Sequence, residues 1–587
     1  MFGANLRIGL AQISVRVGDL WGNARKILAV VQQARDLGVD VLTFPELIVT
    51  GYPPEDLLMR PRFVRDNMKV TRELARQIQG LVAVIGFVDR TAEGLRNAVA
   101  VVQRGIMSVV YHKIHLPNYG VFDEKRYFVP GSQAKVFVCN GVRFAISICE
   151  DIWVPDVTRI QAQEGGAQII LNASSSPYYA GKRTEREEML ANRARENHCH
   201  IAYVNLVGAQ DELVFDGNSM VFDSDGNVIA RAKQFEEDLL IADLELEKEQ
   251  RRPQSVPPPP IDLKRSFKPE VPRPTLSYVN FCIPAKPSRP PITPRIEAQL
   301  GAEEEIYKAL TLGLERYVRG NRFSKVVIGI SGGIDSALTA ALAYDALGPD
   351  GVIGLAMPSP FTSAESNEDA EELCRNLGIR LEVIPIEPLM AAFDASLAPF
   401  FGDMPRGVTE ENLQARIRGS LLMAFSNKFN SMVVSTGNKS ELATGYCTLY
   451  GDMVGGFAIL KDVPKTLVFR LCRFRNSIHP TPFIPERIIT KEPSAELKHN
   501  QKDTDSLPPY PLLDAIMHAY VVEDRGIDEI IGLGFSQDIV KRVVRMIDIS
   551  EYKRRQGAPG IKITPKAFGK DRRMPICNGY EERQDAE

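Results

Sequence analysis

The N-terminal part of the chain alternates short apolar runs with longer amphipathic segments. Asn23–Leu37 and Arg183–His198 have the amphipathic pattern of helices. The short runs predict strands at Leu6–Ile13, Val39–Phe44, Leu81–Phe87, Ala98–Val102, Phe144–Ile148, Ile169–Asn172 and Ile201–Leu206. This order of elements predicts an α/β layered sandwich.

The C-terminal part also alternates predicted strands with predicted helices. Helical stretches separate four predicted strands at Val326–Ile330, Val352–Met357, Leu381–Ile384 and Met432–Thr436. Strands that alternate with helices predict an open, doubly wound, mostly parallel sheet of the Rossmann-like kind, with helices on both faces.

A proline-rich stretch separates the two parts. Residues 253–294 contain 13 of the chain's 39 prolines, including the run Pro257–Pro260. Because proline fixes φ and removes a hydrogen-bond donor, we predict a semi-rigid connector here. The predicted division is a domain at 1–250, a linker at 251–295 and a domain at 296–587. Within the linker, Leu276–Phe281 is apolar enough to pair with a sheet edge.

Composition excludes several classes of protein. At 587 residues the chain is too long for one hydrophobic core, and a formal charge of −3 argues against a large nucleic-acid surface. We see no signal peptide and no apolar run near the roughly 18 residues that span a bilayer. The eight cysteines form no CxxC pair, which favours a reduced, cytoplasmic protein. The charge and the short apolar runs predict no nucleic-acid and no membrane partner.

Three residues with complementary chemistry follow predicted apolar runs in the N-terminal part. They are Glu46, Lys113 and Cys149. A thiol can attack an amide carbon, a carboxylate can move the proton from the thiol to the departing amine, and an ammonium can stabilise the oxyanion. A neighbouring lysine is also expected to lower the thiol pKa.

The sequences around these residues resemble the glutamine-amidase branch of the nitrilase superfamily. The matching segments are FPEL at 44–47, KIHLPNYGVFDE at 113–124 and ICEDIW at 148–153. The resemblance implies an α-β-β-α sandwich in which Glu46 is the base, Lys113 the oxyanion stabiliser and Cys149 the nucleophile. It also implies that Glu124 is a supporting glutamate.

A further segment resembles the part of this family that binds the substrate. It is SSPYYAGK at 175–182, where Ser176 and Lys182 would meet the α-carboxylate of glutamine. Relatives often have arginine at the position of Lys182, and an ammonium lacks the bidentate fork of a guanidinium. Tyr52 and Tyr119 are candidate walls of the pocket, with packing in the core as the alternative.

The C-terminal part contains the clearest motif, SGGIDS at 331–336, between an apolar strand and a predicted helix. Glycines allow the backbone to approach an anion, and amides, hydroxyls and a helix N-terminus then bind it. The motif resembles the pyrophosphate loop of ATP pyrophosphatases, which belong to the adenine nucleotide α-hydrolase-like fold and form adenylates. The candidate residues of this loop are Gly329, Ser331, Gly332, Gly333, Asp335 and Ser336.

Additional motifs select one family among the ATP pyrophosphatases. They are ARIR at 415–418, TGNKSELATGY at 436–446, YGD at 450–452, LKDVPKT at 460–466, PSAEL at 493–497 and FGKDRRMP at 568–575. In this order they resemble the NAD⁺ synthetase family. The resemblance implies Mg²⁺ at Asp335 and Glu441, ATP at Thr436 and Lys465, a hydroxyl at Ser494 where relatives often have threonine, and deamido-NAD⁺ at Arg416, Asp452 and Lys562.

The two resemblances together predict one reaction sequence. Glutamine would yield ammonia in the N-terminal part, and ATP would activate the nicotinate carboxylate of deamido-NAD⁺ as an adenylate that ammonia converts to NAD⁺. Because protonated ammonia is not nucleophilic, a sheltered path is expected, and a homo-oligomer would help to complete it. The alternatives are an asparagine or GMP synthetase, or a nucleotide-binding regulatory protein with an inactive amidase domain.

Overall fold

A computed structural model describes residues 4–139, 142–246, 272–281, 289–402 and 404–580. The chain divides into two compact units. The first consists of Met1–Gln210 and Val214–Leu300, and the second of Asp211–Leu213 and Gly301–Glu587.

The first unit contains two mixed sheets among its described residues. Their strands are β1 (Ala4–Gln12), β2 (Val41–Thr43), β3 (Val82–Thr91), β4 (Gly94–Gln103), β5 (Ile106–His112), β6 (Gln133–Cys139), β7 (Val142–Ile148), β8 (Ile169–Ser174), β9 (His200–Asn205), β12 (Met220–Phe222), β13 (Val228–Arg231), β14 (Asp238–Leu246) and β15 (Thr275–Phe281), with a separate hairpin of β10 (Val207–Gln210) and β11 (Leu213–Asp216). One sheet has the order β14-β1-β2-β3-β4-β5, and the other has the order β13-β12-β9-β8-β7-β6-β15.

The helices of this unit cover the outer faces of the two sheets. They are α1 (Leu20–Asp36), α2 (Pro61–Gln77), α3 (Glu150–Trp153), α4 (Pro155–Arg159) and α5 (Lys182–Asn197). The Asp19 side chain accepts a hydrogen bond from the Gly22 amide at the start of α1, and Pro61 begins α2, where its missing donor costs nothing. On α5, Leu190 and Ala194 pack against the second sheet.

The core lies between the two sheets. Ile8 and Val84 of the first sheet belong to the same buried cluster as Ile146 and Leu171 of the second. Helix, sheet, sheet and helix therefore form successive layers, which confirms the sandwich predicted from the sequence. The strand ends that carry the candidate residues open onto this core.

The predicted linker differs from the observed chain path. Thr275–Phe281, within the predicted linker 251–295, forms β15 and pairs in parallel with β6. Further on, the Arg231 amide donates to the Arg295 carbonyl at 2.9 Å and the Leu300 amide to Gln234 Oε1 at 3.0 Å, so the first unit continues to Leu300. Residues 247–271 and 282–288, including Pro257–Pro260, lie outside the described residues.

The second unit is built on one parallel sheet among the residues described. Its strands are β16 (Val326–Gly329), β17 (Val352–Ala356), β18 (Arg380–Val383), β19 (Met432–Ser435) and β20 (Phe457–Ala458), in the order β18-β17-β16-β19-β20. The pairs are parallel, as expected for a doubly wound sheet.

Twelve described helices accompany this sheet. They are α6 (Ala302–Gly320), α7 (Ile334–Leu347), α8 (Ala364–Leu377), α9 (Glu387–Phe401), α10 (Val408–Phe429), α11 (Lys439–Thr444), α12 (Lys465–Ser477), α13 (Glu486–Thr490), α14 (Tyr510–Met517), α15 (Ile527–Gly532), α16 (Gln537–Ile549) and α17 (Glu551–Arg554). None of the helices in the described part of the chain is long and apolar enough to cross a membrane.

Candidate active sites

The three candidate residues of the first unit follow three different strands. Glu46 comes shortly after β2, Lys113 directly after β5 and Cys149 directly after β7. All three side chains are buried. Because β2 and β5 belong to one sheet and β7 to the other, the packing of the two sheets brings them together.

Lys113 lies between two carboxylates. Its Nζ donates to Glu46 Oε1 at 2.7 Å and to Glu124 Oε1 at 2.8 Å. Burial alone lowers the pKa of Lys113, but Glu124 and Glu46 together raise that pKa well above its ordinary value. The ammonium therefore remains charged inside the core.

Glu46 is held by further donors besides Lys113. Asn97 Nδ2 donates to Glu46 Oε1 at 2.7 Å, the Ser175 amide donates to Oε2 at 3.1 Å, and the Ser175 hydroxyl donates to the Glu46 carbonyl at 2.9 Å. These contacts fix the carboxylate before substrate arrives, as a general base requires.

Cys149 has an unusual backbone conformation. Its φ is +44° and its ψ −100°, in a region that non-glycine residues rarely adopt, and its amide donates to the Ala173 carbonyl at 2.9 Å. Such strain in a turn after a strand is typical of functional residues.

The electrostatics of Cys149 differ from the expectation drawn from the sequence. Burial raises the pKa of the thiol well above its ordinary value, Glu46 raises it further, and the opposing effect of Lys113 is smaller. Lys113 lowers the pKa, as expected from the sequence, but burial and Glu46 outweigh its effect.

Glu124 joins this group, as the resemblance implied. Tyr52 Oη donates to its Oε1 at 3.0 Å, which places Tyr52 beside the site. Burial, together with the neighbouring Glu46, raises the pKa of Glu124 to about 7, while Lys113 opposes the rise. The group thus contains one ammonium, one neutral thiol and two carboxylates that compete for the same positive charge.

The predicted substrate residues occupy the surroundings of Cys149. Lys182 is buried, and its Nζ donates to the Pro177 carbonyl at 2.8 Å. Burial, and then the nearby Arg186, lower the pKa of Lys182 to about 8. The Ser176 amide donates to Asn205 Oδ1 at 2.8 Å.

Glu150 is a functional candidate that the sequence reasoning missed. It follows Cys149 directly, is buried, and accepts a hydrogen bond from Tyr119 Oη at 3.0 Å. Tyr119 is 53% exposed, so the pair lies where the buried group meets solvent. The sequence feature that could have identified Glu150 is its position as an acidic residue next to the nucleophile in the ICEDIW segment.

The second unit has a cavity at the carboxyl ends of β16 and β19. These strands are neighbours, but β17 follows β16 in one direction along the sheet and β20 follows β19 in the other. Doubly wound sheets bind ligands at such a change of direction. The cavity has a volume of about 310 Å³. Among its lining residues are Gly329, Ser331, Gly332, Gly333, Asp335, Ser336, Thr436, Glu441, Asp452, Lys465 and Ser494.

The loop after β16 packs its backbone closely against neighbouring main chain. Gly332 has φ +75°, and a Cβ added there would lie 2.2 Å from the Ser366 carbonyl oxygen. The Gly333 amide donates to Ser331 Oγ at 3.2 Å, and Ser336 Oγ donates to the Gly333 carbonyl at 2.9 Å. The loop then enters α7, whose N-terminus favours anions.

Charged groups converge beside this loop. Lys465 Nζ pairs with Asp335 and lies 3.6 Å from Glu441, while Asn438 Nδ2 donates to Asp335 Oδ1 at 3.0 Å. Burial, and then repulsion from Asp335, raise the pKa of Glu441 to about 8. Burial opposes a rise in the pKa of Lys465, but Asp335 and Glu441 outweigh it.

The three residues predicted to contact the dinucleotide have different surroundings. Asp452 lines the cavity and accepts a hydrogen bond from the Thr448 amide at 2.7 Å. Although the residue is exposed as a whole, desolvation of its carboxyl raises the pKa to about 6. Arg416 is exposed and donates to the Leu449 carbonyl at 3.3 Å, whereas Arg418 lines the cavity.

Lys562 is buried and points into its own segment of the chain. Its Nζ donates to the carbonyls of Thr564 at 2.8 Å and Pro565 at 2.7 Å, and to Asp571 Oδ2 at 2.7 Å. These contacts hold the C-terminal segment together. The structure therefore gives Lys562 a role in packing and does not place it among the lining residues of the cavity in the part of the chain described.

Comparison with known proteins matches both units. The family model for carbon-nitrogen hydrolases matches residues 7–254, and the model for NAD synthase matches residues 306–557. The glutamine-dependent NAD(+) synthetases of Thermotoga maritima and Acinetobacter baylyi are 46% and 44% identical to this chain, over 98% of it and 99% of each relative.

Two solved structures resemble the whole chain. A glutamine-dependent NAD+ synthetase from Acinetobacter baumannii in complex with adenosine diphosphate is 42% identical, with a TM-score of 0.73 over 99% of this chain and 100% of that chain. A glutamine-dependent NAD(+) synthetase from Cytophaga hutchinsonii shares the fold at 21% identity, with a TM-score of 0.78 over 98% of both chains.

Removing the charge of Glu46 should make Cys149 more reactive toward alkylation while abolishing amide cleavage. In Glu46→Gln the thiol pKa falls, because the carboxylate no longer repels the thiolate. Alkylation of Cys149 by iodoacetamide at pH 8, followed by mass spectrometry of its peptide, should be faster than in the wild type, while turnover falls about 10²- to 10⁴-fold. Glu150→Gln should show a smaller acceleration, and an unchanged rate in Glu46→Gln would contradict the electrostatic account.

Gly332→Ala should abolish nucleotide binding by the second unit. The new Cβ meets a backbone carbonyl, so the loop must move away from the position in which its amides face an anion. Gly320→Ala, at the end of α6, is the control, since a Cβ there meets no atom within 4 Å. Calorimetric titration with ATP measures both variants, and equal affinity would refute the role of the loop.

Proposed function

The chain belongs to the family of glutamine-dependent NAD(+) synthetases, which are carbon–nitrogen ligases, and from this premise we propose how its own residues carry out the two half-reactions. The observation that supports the proposal most directly is the buried group of Glu46, Lys113 and Cys149. A neutral thiol beside a fixed carboxylate and a fixed ammonium is suited to cleaving an amide.

The first half-reaction releases ammonia from glutamine. The sulfur of Cys149 attacks the side-chain amide carbon while Glu46 accepts the thiol proton, so a buried thiolate never has to form alone. Lys113 stabilises the negative charge that develops on the carbonyl oxygen. Glu46 returns the proton to the departing nitrogen, and water then hydrolyses the thioester to glutamate.

Recognition of glutamine uses the groups around Cys149. Lys182 and Ser176 would meet the α-carboxylate, and the lowered pKa of Lys182 would rise when an anion binds beside it. Glu150 offers a carboxylate for the α-ammonium, and Tyr119, which already donates to Glu150, would close the pocket.

The second half-reaction forms and consumes an adenylate. The nicotinate carboxylate of deamido-NAD⁺ attacks the α-phosphorus of ATP and pyrophosphate leaves, after which ammonia displaces AMP to give the amide. The amides and hydroxyls of the loop Ser331–Ser336 would hold the phosphates, with Lys465 and Thr436 beside them. Asp452 and Arg418 line the same cavity and would contact the dinucleotide there, while Arg416 and Lys562 stay predictions from the resemblance.

The residues beside the loop fit Mg²⁺. Burial first, and then repulsion from Asp335, raise the pKa of Glu441 to about 8, so a further positive charge here would stabilise both carboxylates. Carboxylate oxygens next to phosphates are the ligands that Mg²⁺ prefers, and the ion when bound would neutralise charge on the leaving pyrophosphate.

We also propose that the protein forms a homo-oligomer through its second unit. Helix α9 is largely apolar, yet no described residue in it is buried. Phe400 is 79% exposed and Phe393 44% exposed. Apolar surface of this kind usually marks an interface, and a partner subunit would cover it.

The free thiols of the described cysteines, Cys149 among them, fit a reducing compartment such as the cytoplasm.

Nitrogen from glutamine should appear in the nicotinamide group of the product. With deamido-NAD⁺, Mg-ATP and amide-¹⁵N glutamine, mass spectrometry should find ¹⁵N-labelled NAD⁺ together with AMP and pyrophosphate, even in the presence of unlabelled ammonium. Cys149→Ala should form no labelled NAD⁺. Formation of ADP would exclude the adenylate, and complete absence of turnover would favour a regulatory protein.

Charges on α9 should dissociate the oligomer. In Phe393→Glu/Phe400→Glu a carboxylate replaces each ring, and burying these carboxylates at an interface is unfavourable. Light scattering after size-exclusion chromatography should show a smaller species than the wild type. Tyr580→Glu is the control, since Tyr580 is 73% exposed but lies near the C-terminus, far along the chain from α9. An unchanged mass in the double variant would place the interface elsewhere.

A further inference from the structure

Asp151 lies two residues beyond the nucleophile, and the reaction just described does not use it. We propose that Asp151 is a positioning residue that holds Lys113 and Cys149 in the relative positions needed for attack on the amide. The inference rests on the proposed function of the first unit. It rests also on a set of four hydrogen bonds to one buried carboxylate.

The first two contacts fix the loop that carries Lys113. Asp151 Oδ1 accepts hydrogen bonds from the backbone amides of Ile114 at 3.0 Å and His115 at 2.8 Å. These are the two residues that follow Lys113. The main chain on the C-terminal side of the lysine is therefore tied to the segment after Cys149.

The other two contacts involve β7, which ends directly before Cys149, and β5, which ends directly before Lys113. Asp151 Oδ2 accepts a hydrogen bond from the Ile148 amide at 3.0 Å, directly before Cys149, and another from Tyr111 Oη at 2.8 Å, two residues before Lys113. The carboxylate thus contacts the chain on both sides of Lys113 and on the N-terminal side of Cys149. β5 belongs to one sheet and β7 to the other, so the contact spans the interface between them.

The chemistry of these contacts requires a carboxylate. Three of the four donors are backbone N–H groups, which can donate but cannot accept a hydrogen bond. The Asp151 side chain is fully buried, so water cannot replace these contacts. An asparagine of the same size has one acceptor oxygen, and its NH₂ group would face either the amides of Ile114 and His115 or the amide of Ile148. Donor would then meet donor on one side, and the chain on that side must move.

A movement there displaces a reacting group. The amide carbon must lie within reach of the sulfur of Cys149 while its oxygen meets Nζ of Lys113, and a misplacement near 1 Å lowers the rate of such a reaction about 100-fold. Binding of glutamine uses other residues, Ser176, Lys182 and Glu150. The defect is therefore expected in kcat, with little change in KM.

The test measures glutamine hydrolysis by the full-length chain and its variants. Asp151→Asn should lower kcat about 100-fold and change KM less than threefold. Tyr111→Phe removes a single hydrogen bond and should lower kcat several-fold, again with KM unchanged. Asp40→Asn is the matched control: Asp40 is a buried carboxylate of the same unit that accepts from the Arg7 amide at 2.8 Å and pairs with Arg289 at 2.7 Å. It should lower the melting temperature and leave kcat unchanged.

The outcomes separate this inference from a structural role and from the proposed function. If Asp151→Asn melts earlier but keeps the wild-type kcat, or if KM alone rises, Asp151 is not a positioning residue. If Asp151→Asn does not fold, Tyr111→Phe decides by the same criterion. If the wild type and Asp40→Asn hydrolyse no glutamine, the proposed function itself has failed, and that result is distinct from a loss confined to the Asp151 and Tyr111 variants.

Discussion

The ion pairs of Lys113 are the constraint on which the first site depends. One ammonium, enclosed in the core, balances two carboxylates that would otherwise repel each other there. Burying such charges is unfavourable unless each is paired and hydrogen-bonded, and here Asn97, Ser175 and Tyr52 supply the remaining donors. The arrangement holds Glu46 in place, and burial raises the pKa of the neighbouring Cys149 thiol well above its ordinary value.

The second site has the same combination of charges around one lysine. Asp335 and Glu441 share Lys465, and two carboxylates at the loop Ser331–Ser336 suit a site for a cation. The loop beside them contributes backbone amides and no formal charge. Both sites therefore use strand ends and one buried lysine that pairs with two carboxylates.

Much of this was accessible from the sequence, and the exceptions have physical reasons. Strands with continuous apolar runs, such as β3 and β8, were predicted within a few residues. β5 was missed because it is only partly buried and its pattern is irregular, and β15 was recognised only as a piece of chain able to pair with an edge. Helix α2 carries many charges and was missed as well, although Val70 and Leu74 on its inner face are buried.

The site residues show a similar division. Motifs identified Glu46, Lys113 and Cys149, and the fold brings them together with Glu124. The lowering effect of Lys113 on the thiol pKa was predicted correctly, but the larger effects of burial and of Glu46 depend on the folded core and were not. The choice between Arg416 and Arg418 depends on which face of α10 meets the cavity, and residue identity alone does not reveal that.

The protonated state of Cys149 has a consequence for chemical durability. Peroxides oxidise thiolates much faster than thiols, and the first product, a sulfenic acid, would block the acyl transfer. A nucleophile whose proton leaves only during attack on a bound amide offers oxidants almost no thiolate between turnovers. We therefore expect the burial that raises the thiol pKa also to slow the oxidation of Cys149 between turnovers.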